Sequence, residues 1–104
     1  MFDTIKKLFG FEKTDYAQLM AEGAIIIDVR TKGEFETGHI KGSVNIPVNN
    51  LAANIHKLKA KNKPIITCCA SGARSGAAKS ILKSQGYTRV YNGGSWFSLD
   101  RKIK

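Results

Sequence analysis

The sequence lacks a long hydrophobic run, which argues against a membrane-spanning helix. Of its 104 residues, 42% are hydrophobic, but none of the apolar stretches reaches the roughly 18 residues of a membrane-spanning helix. Its first residues also lack the apolar core and cleavage site of a secretion signal. We therefore expect a cytoplasmic protein with no membrane partner. The length predicts a single domain over residues 1–104, in which apolar residues at helical spacing make residues 1–10 a helical extension.

Acidic residues are scarce as well. Eight Asp and Glu residues stand against 17 Lys and Arg residues, and the formal net charge is +9. Such a charge favours anionic partners. The densest basic run, residues 56–63, has no interleaved aromatic residues that would stack on bases, and no nucleic-acid motif accompanies it. We interpret the run as a solvated face, expect no nucleic-acid partner, and note that a positive field favours small anionic substrates.

Cysteine is limited to two adjacent residues, Cys68 and Cys69. A disulfide between neighbours closes a strained ring, and consecutive residues of a strand point to opposite faces. In a chain without a secretion signal, free thiols are the better interpretation. The pair therefore raises the question of which thiol, if either, is reactive.

Short β-branched runs alternate with amphipathic stretches. We predict strands over residues 24–29, 43–47, 63–68 and 89–91, and helices over residues 14–23, 32–38, 49–60 and 75–86, with a final helix starting near residue 95. Thr14 is the expected cap of the first helix, and Asn49 or Asn50 that of the third. This alternation predicts an α/β fold, with a small parallel sheet and helices on both faces.

The strongest candidate site follows the third predicted strand, in the stretch TCCASGARS, residues 67–75. A strand that turns through a small-residue loop into a helix leaves backbone N–H groups free to converge on an anion. A cysteine at the start of such a loop has its thiolate stabilised and its pKa lowered. Ser71 can add a hydroxyl donor, and Arg74 can bind the anion or pair with a carboxylate.

The spacing to Arg74 distinguishes the two cysteines. Counted from Cys68, it is the C-x5-R spacing of cysteine phosphatases, and counted from Cys69 it is one residue shorter. Cys68 suits the last packed position of the strand, whereas Cys69 is expected to open a solvent-facing loop. The alternative is that both thiols are small core residues, which is common for free cysteine.

Two segments resemble the single-domain rhodaneses, a family of sulfurtransferases: IIIDVRTKGEFETGHIKGSVNIP, residues 25–47, and KPIITCCASGARSGAAKSILKSQGYTRVYNGG, residues 63–94. The resemblance implies that Cys69 is the nucleophile of a C-x-x-G-x-R-S loop. It also implies that the N–H groups of the loop hold the substrate sulfur, namely those of Ala70, Ser71, Gly72, Ala73, Arg74 and Ser75. Asp28 and Arg30 match a supporting charged pair that involves Glu34 or Arg74, and His39 matches a structural position.

The resemblance further implies a rhodanese-like domain that moves sulfane sulfur from thiosulfate or a similar small anion, through a Cys69 persulfide, to cyanide or a thiol, including a protein thiol. It implies no metal and no cofactor, and a compact domain of this size is expected to be a monomer. Two alternatives stay open: a phosphatase or arsenate reductase that uses Cys68, and a non-catalytic binding module. Cys68 is then either inert or an acceptor of sulfur from Cys69.

Overall fold

Strands and helices alternate along the chain. The computed structural model describes residues 14–58 and 61–104, so the predicted extension over residues 1–10 lies outside the described residues. The elements are α1 (Tyr16–Ala21), β1 (Ile25–Asp28), α2 (Lys32–Thr37), β2 (Val44–Asn45), α3 (Val48–Asn54), a 3-10 turn (Ile55–Lys57), β3 (Ile65–Cys69), α4 (Ala73–Ser84), β4 (Val90–Ser95) and α5 (Trp96–Ile103). Each predicted strand and helix within the described residues is present, with shifted bounds.

The four strands form one sheet in the order β2-β1-β3-β4, and every neighbouring pair is parallel. Asp28 at the end of β1 pairs with Cys68, and Cys69 pairs with Ser95 at the end of β4. Because parallel strands end at the same edge, this edge collects the residues that follow each strand. The predicted α/β fold with a parallel sheet is confirmed.

The core lies on both faces of the sheet. One cluster joins side chains of β1 and β3 to Leu51 of α3 and Leu82 of α4. The other joins Ile26 and Ile66 to Leu19 of α1 and Leu99 of α5. Since successive residues of a strand face opposite sides, Cys68 belongs to the second cluster and Cys69 to the first.

Both predicted helix caps are wrong. The α1 cap is Asp15, whose carboxylate accepts a hydrogen bond from the Gln18 N–H, and a carboxylate is also favoured by the helix dipole. The third helix starts after Pro47, with no side-chain cap, so Asn49 and Asn50 lie inside its first turn. The α3 helix ends at Asn54, shorter than the predicted 49–60.

The fourth strand is longer than predicted, because it runs to Ser95 instead of stopping at residue 91. Gly93 allows the extension: a Cβ there would lie 2.9 Å from the Thr67 carbonyl oxygen and 2.8 Å from Leu99 Cδ2. The missing side chain lets β4 run close to β3 as far as the site. Helix α4 likewise starts at Ala73 and not at Ser75, because Gly72 turns the chain with a φ of 106°.

Candidate active site

The Cys69 sulfur lies inside the loop that joins β3 to α4. Its Sγ accepts hydrogen bonds from the N–H of Gly72 at 2.9 Å and of Ser75 at 3.4 Å. The Ser75 hydroxyl oxygen lies 3.5 Å from the same sulfur. Cys69 is the last residue of β3 and has no exposed surface. The loop after Cys69 closes over the sulfur, so the thiol itself is enclosed.

The exposed part of the loop is formed by the small residues that follow Cys69. Ala70, Ser71 and Ala73 are exposed, whereas Gly72 is half-buried and Ser75 is buried. Gly72 has left-handed backbone geometry, and a Cβ on it would lie 3.5 Å from the Cα of Gly94. Side chains of this size leave little bulk between the sulfur and the surroundings.

Opposing effects act on the Cys69 thiol. Burial favours the neutral form, but hydrogen bonds from the Ser75 hydroxyl and from the N–H groups of Ser75, Gly72 and Ser71 favour the thiolate. The hydrogen bonds outweigh burial, and the pKa of Cys69 is lowered from its ordinary value. The loop therefore holds a cysteine that ionises more readily than a free one.

Cys68 has the opposite character. It is fully buried on the other face of the sheet, in the cluster with Ile66 and Leu99. Burial, and then the negative charge of Asp28, raise the pKa of Cys68 to about 12. A neutral thiol on the far face cannot act at the loop, so the phosphatase alternative loses its nucleophile.

Arg74 turns to a carboxylate, the second of the two roles considered for it. Its Nη1 and Nη2 donate to the two carboxylate oxygens of Glu34 at 2.7 and 2.9 Å. Glu34 also completes a capping box at the start of α2, where it accepts the Thr31 N–H. The Arg74–Glu34 pair therefore ties the first turn of α4 to α2 across the rim of the loop.

The Arg74–Glu34 pair is expected to make the stability of the protein depend on pH in acid. Hydrogen bonds to Arg74 and Thr31 lower the pKa of Glu34 from 4.5 to about 2. The pair therefore contributes stability above pH 4.5 that is lost as the pH falls towards 2. In Glu34→Gln, the amide preserves the capping box but not the ion pair. We expect the difference in urea midpoint between wild type and Glu34→Gln to shrink across this window.

Added salt gives the control for this prediction, since an ion pair that is one-third exposed is screened at about 1 M salt. Comparing the two proteins at the same pH isolates the contribution of Glu34. A difference that stays constant from pH 6 to pH 2 would show that Glu34 and Arg74 are not paired in solution.

Asp28 and Arg30 form a buried ion pair beside the loop. The side chain of Arg30 is 4% exposed and that of Asp28 is fully buried, and Arg30 Nη2 donates to Asp28 Oδ2 at 2.7 Å. Arg30 also donates to the carbonyl oxygens of Glu34 and Gly38. The guanidinium lies 4.8 Å from the ring centroid of Trp96. It thus holds both ends of α2 in place without reaching the sulfur.

Two polar residues at the site were not expected from the sequence. Thr67 Oγ1 donates to the Ser75 carbonyl oxygen at 2.9 Å. Asn92 Oδ1 lies 2.6 Å from the Ser75 hydroxyl oxygen and accepts the Gly94 N–H at 2.9 Å. Asn92 precedes a Gly-Gly pair on the strand next to β3. This pair was the feature of the sequence that could have pointed to Asn92 as a site residue.

His39 lies outside the loop and contacts Phe35. His39 Nδ1 lies 2.8 Å from the Phe35 carbonyl oxygen, and the imidazole stacks on the Phe35 ring.

Within residues 14–58 and 61–104, no three His, Cys, Asp or Glu side chains are grouped as a metal site. Over the same residues, none of the helices has the length and apolar character needed to cross a membrane.

A comparison with protein families shows which family the chain belongs to. Residues 12–96 match the family model of the rhodanese-like domain. The chain belongs to the rhodanese-like domain family. A solved rhodanese structure with anions from Escherichia coli superposes on it with a TM-score of 0.69 at 34% identity, covering 72% of this chain and 89% of that one. The resemblance inferred from the two sequence segments is confirmed.

Curated relatives share part of the chain. The uncharacterized protein YqhL of Bacillus subtilis is 41% identical over 69 residues, which are 66% of this chain and 54% of YqhL. The thiosulfate sulfurtransferase PspE of Escherichia coli is 38% identical over 69 residues, 65% of this chain and 66% of PspE. This rhodanese-like chain thus spans less than two thirds of the length of both relatives.

Proposed function

We propose that this rhodanese-like domain is a sulfurtransferase that carries sulfane sulfur as a persulfide on Cys69. The observation that carries the proposal is the Cys69 sulfur held by the Gly72 and Ser75 N–H groups, with its pKa lowered. Family membership and the name of PspE support the same reaction class. The donor is thiosulfate or a similar small anion, which the net charge of +9 favours.

The first step is a nucleophilic displacement on sulfur. The Cys69 thiolate attacks the outer sulfur of thiosulfate and forms an S–S bond with it. The bond between that sulfur and the sulfonate sulfur breaks, and sulfite leaves with the bonding electron pair. Negative charge on the new persulfide is stabilised by the fixed N–H dipoles of the loop and the start of α4.

The second step regenerates the free enzyme. A nucleophilic acceptor, cyanide or a thiol, attacks the terminal sulfur of the persulfide. The S–S bond to Cys69 breaks, Cys69 leaves as the thiolate, and the product is thiocyanate or a new persulfide. The cycle is covalent catalysis by double displacement and uses no further redox reagent. Because the small residues 70 to 73 cover the sulfur, a thiol on a protein partner can serve as acceptor only if it projects from the partner's surface.

Intact mass spectrometry after incubation with thiosulfate tests the proposal. Wild type is expected to gain about 32 Da, one sulfur atom on the reactive thiol, and to lose it when cyanide is added. Cys69→Ala is expected to show no gain. Cys68→Ala is the matched control, because it removes the neighbouring thiol from the opposite face and is expected to keep the adduct.

The variants also separate this proposal from its alternatives. An adduct that survives in Cys69→Ala and disappears in Cys68→Ala would overturn the assignment of the nucleophile. A folded wild type that gains no mass from thiosulfate or from a low-molecular-weight persulfide would indicate a non-catalytic binding module. Sedimentation of the same samples tests the expectation that the domain is a monomer.

A further inference from the structure

The Ser75 hydroxyl has a single hydrogen and three possible acceptors. The Asn92 Oδ1 atom lies 2.6 Å from the hydroxyl oxygen, the Gly72 carbonyl oxygen 3.0 Å and the Cys69 sulfur 3.5 Å. Asn92 Oδ1 is the nearest and has one other donor, the Gly94 N–H, whereas the Gly72 carbonyl oxygen already accepts from both the Gly76 N–H and Asn92 Nδ2. The hydrogen therefore points at Asn92 while Cys69 is a neutral thiol, whose S–H can donate to the Ser75 oxygen.

Ionisation of Cys69 reverses this arrangement. A thiolate has no hydrogen to donate, so a bond between Ser75 and the sulfur requires the hydroxyl hydrogen to turn from Asn92 to the sulfur. Asn92 is held in its place from both ends: Nδ2 donates to the Gly72 carbonyl oxygen at 3.3 Å, and Oδ1 accepts the Gly94 N–H. The amide therefore competes with the thiolate for one hydrogen.

We propose that Asn92 is a positioning residue that sets the reactivity of Cys69 by holding the Ser75 hydroxyl hydrogen away from the sulfur. Asn92 does not touch the sulfur, and it acts through Ser75. The inference rests on the proposed role of Cys69 as the reactive thiol, and it adds a residue of β4 to the control of that thiol. The sequence of the loop alone does not predict this role of Asn92.

Two substitutions of Asn92 change the strength of the hydrogen-bond acceptor at this position in opposite directions. Leucine has a similar shape but accepts no hydrogen bond, so it releases the Ser75 hydrogen to a charged sulfur, the stronger remaining acceptor. Aspartate accepts more strongly than asparagine and adds a negative charge. Residue 92 is exposed, so neither side chain disturbs the core. The charged or titratable groups around the sulfur are unchanged: Arg74 with Glu34, Asp28 with Arg30, and the Cys68 thiol.

The readout is the rate of Cys69 alkylation by iodoacetamide against pH, with the modified cysteine located by fragment masses. Asn92→Leu is expected to lower the pH midpoint by roughly half a unit, about threefold in the acidity constant, as one competing hydrogen bond allows. Asn92→Asp is expected to raise it. Ser75→Ala is expected to raise the midpoint and to abolish the effect of Asn92→Leu when the two are combined.

The combined variants decide the question. An Asn92→Leu shift of equal size with and without Ser75 would overturn the proposal, since Asn92 would then act by another route. An unchanged midpoint in Asn92→Leu would overturn it as well. If the leucine variant fails to fold, Asn92→Asp carries the test, because its rise must be larger with Ser75 than without it. Alkylation needs no sulfur donor, so failure of sulfur transfer is recorded separately.

Discussion

Replacing Arg30 with methionine is expected to lower the free energy of unfolding by about 3–5 kcal/mol, because one member of a buried ion pair is removed. The variant leaves the Asp28 carboxylate fully buried without its counter-charge. It also removes the Arg30 donor from the carbonyl oxygens of Glu34 and Gly38, of which the Glu34 oxygen still accepts the Thr37 hydroxyl. Methionine has a comparable length and is apolar, so the loss comes from charge and hydrogen bonding more than from packing. Urea unfolding followed by far-UV circular dichroism measures it.

The double variant Asp28→Asn with Arg30→Met gives the control. It removes the carboxylate together with the guanidinium, and a neutral amide is less costly to bury than an unpaired charge. The double variant is therefore expected to be more stable than Arg30→Met alone. Losses that simply add would mean that the two side chains stabilise the fold independently and are not an energetic pair.

The Arg30 variant also links stability to the site. Arg30 binds the backbone of α2, and α2 carries the carboxylate that holds Arg74. A displaced α2 is expected to release Arg74 and loosen the rim of the loop. The sulfur adduct on Cys69 is therefore expected to form more slowly in Arg30→Met even at low temperature, where the variant stays folded.

Gly93→Ala is expected to destabilise the fold by about 3 kcal/mol, the upper end for overpacking a core. The added Cβ would lie 2.8 Å from Leu99 Cδ2, 2.9 Å from Ile66 Cγ2 and 2.9 Å from the Thr67 carbonyl oxygen. Leu99 and Ile66 are fully buried and the third atom is backbone, so none of them moves aside cheaply. Relief requires β4 to separate from β3 beside the active loop. Thermal or urea unfolding measures the change.

Gly33→Ala is the matched control for this prediction. Its Cβ would meet nothing within 4 Å, and residue 33 lies in helix α2. Alanine is favoured over glycine in a helix by about 1 kcal/mol, so this variant is expected to be at least as stable as wild type. Equal stabilities for the two variants would contradict the close approach of β4 to β3 at Gly93.

The sequence predicted the architecture because the strongest signals were local. Buried β-branched runs specify strands such as β1 and β3, and their alternation with helices restricts the connections to a parallel sheet. The position of Cys69 within the loop also followed from local order, since the turn after a strand must leave N–H groups free. These inferences needed no knowledge of distant contacts.

The features that the sequence did not predict depend on contacts between distant residues. Asn92 lies on β4, and only the pairing of β4 with β3 brings its amide to Ser75. Gly72 likewise approaches β4, where a Cβ on it would lie 3.5 Å from the Gly94 Cα, and no sequence pattern predicts that approach. Arg74 binds Glu34, which lies 40 residues away in the sequence. Local spacing cannot decide between this carboxylate and an anion as the partner of Arg74.

The opposite orientation of the two cysteines also has a consequence under oxidative stress. The chain has only two cysteines, and Cys68 faces the far side of the sheet. A sulfenic acid on Cys69 therefore has no resolving thiol within this domain, and a thiol from outside the domain is expected to rescue it before further oxidation makes the damage irreversible. Recovery of the oxidised domain is thus expected to be bimolecular, with a rate set by the concentration of small thiols around it.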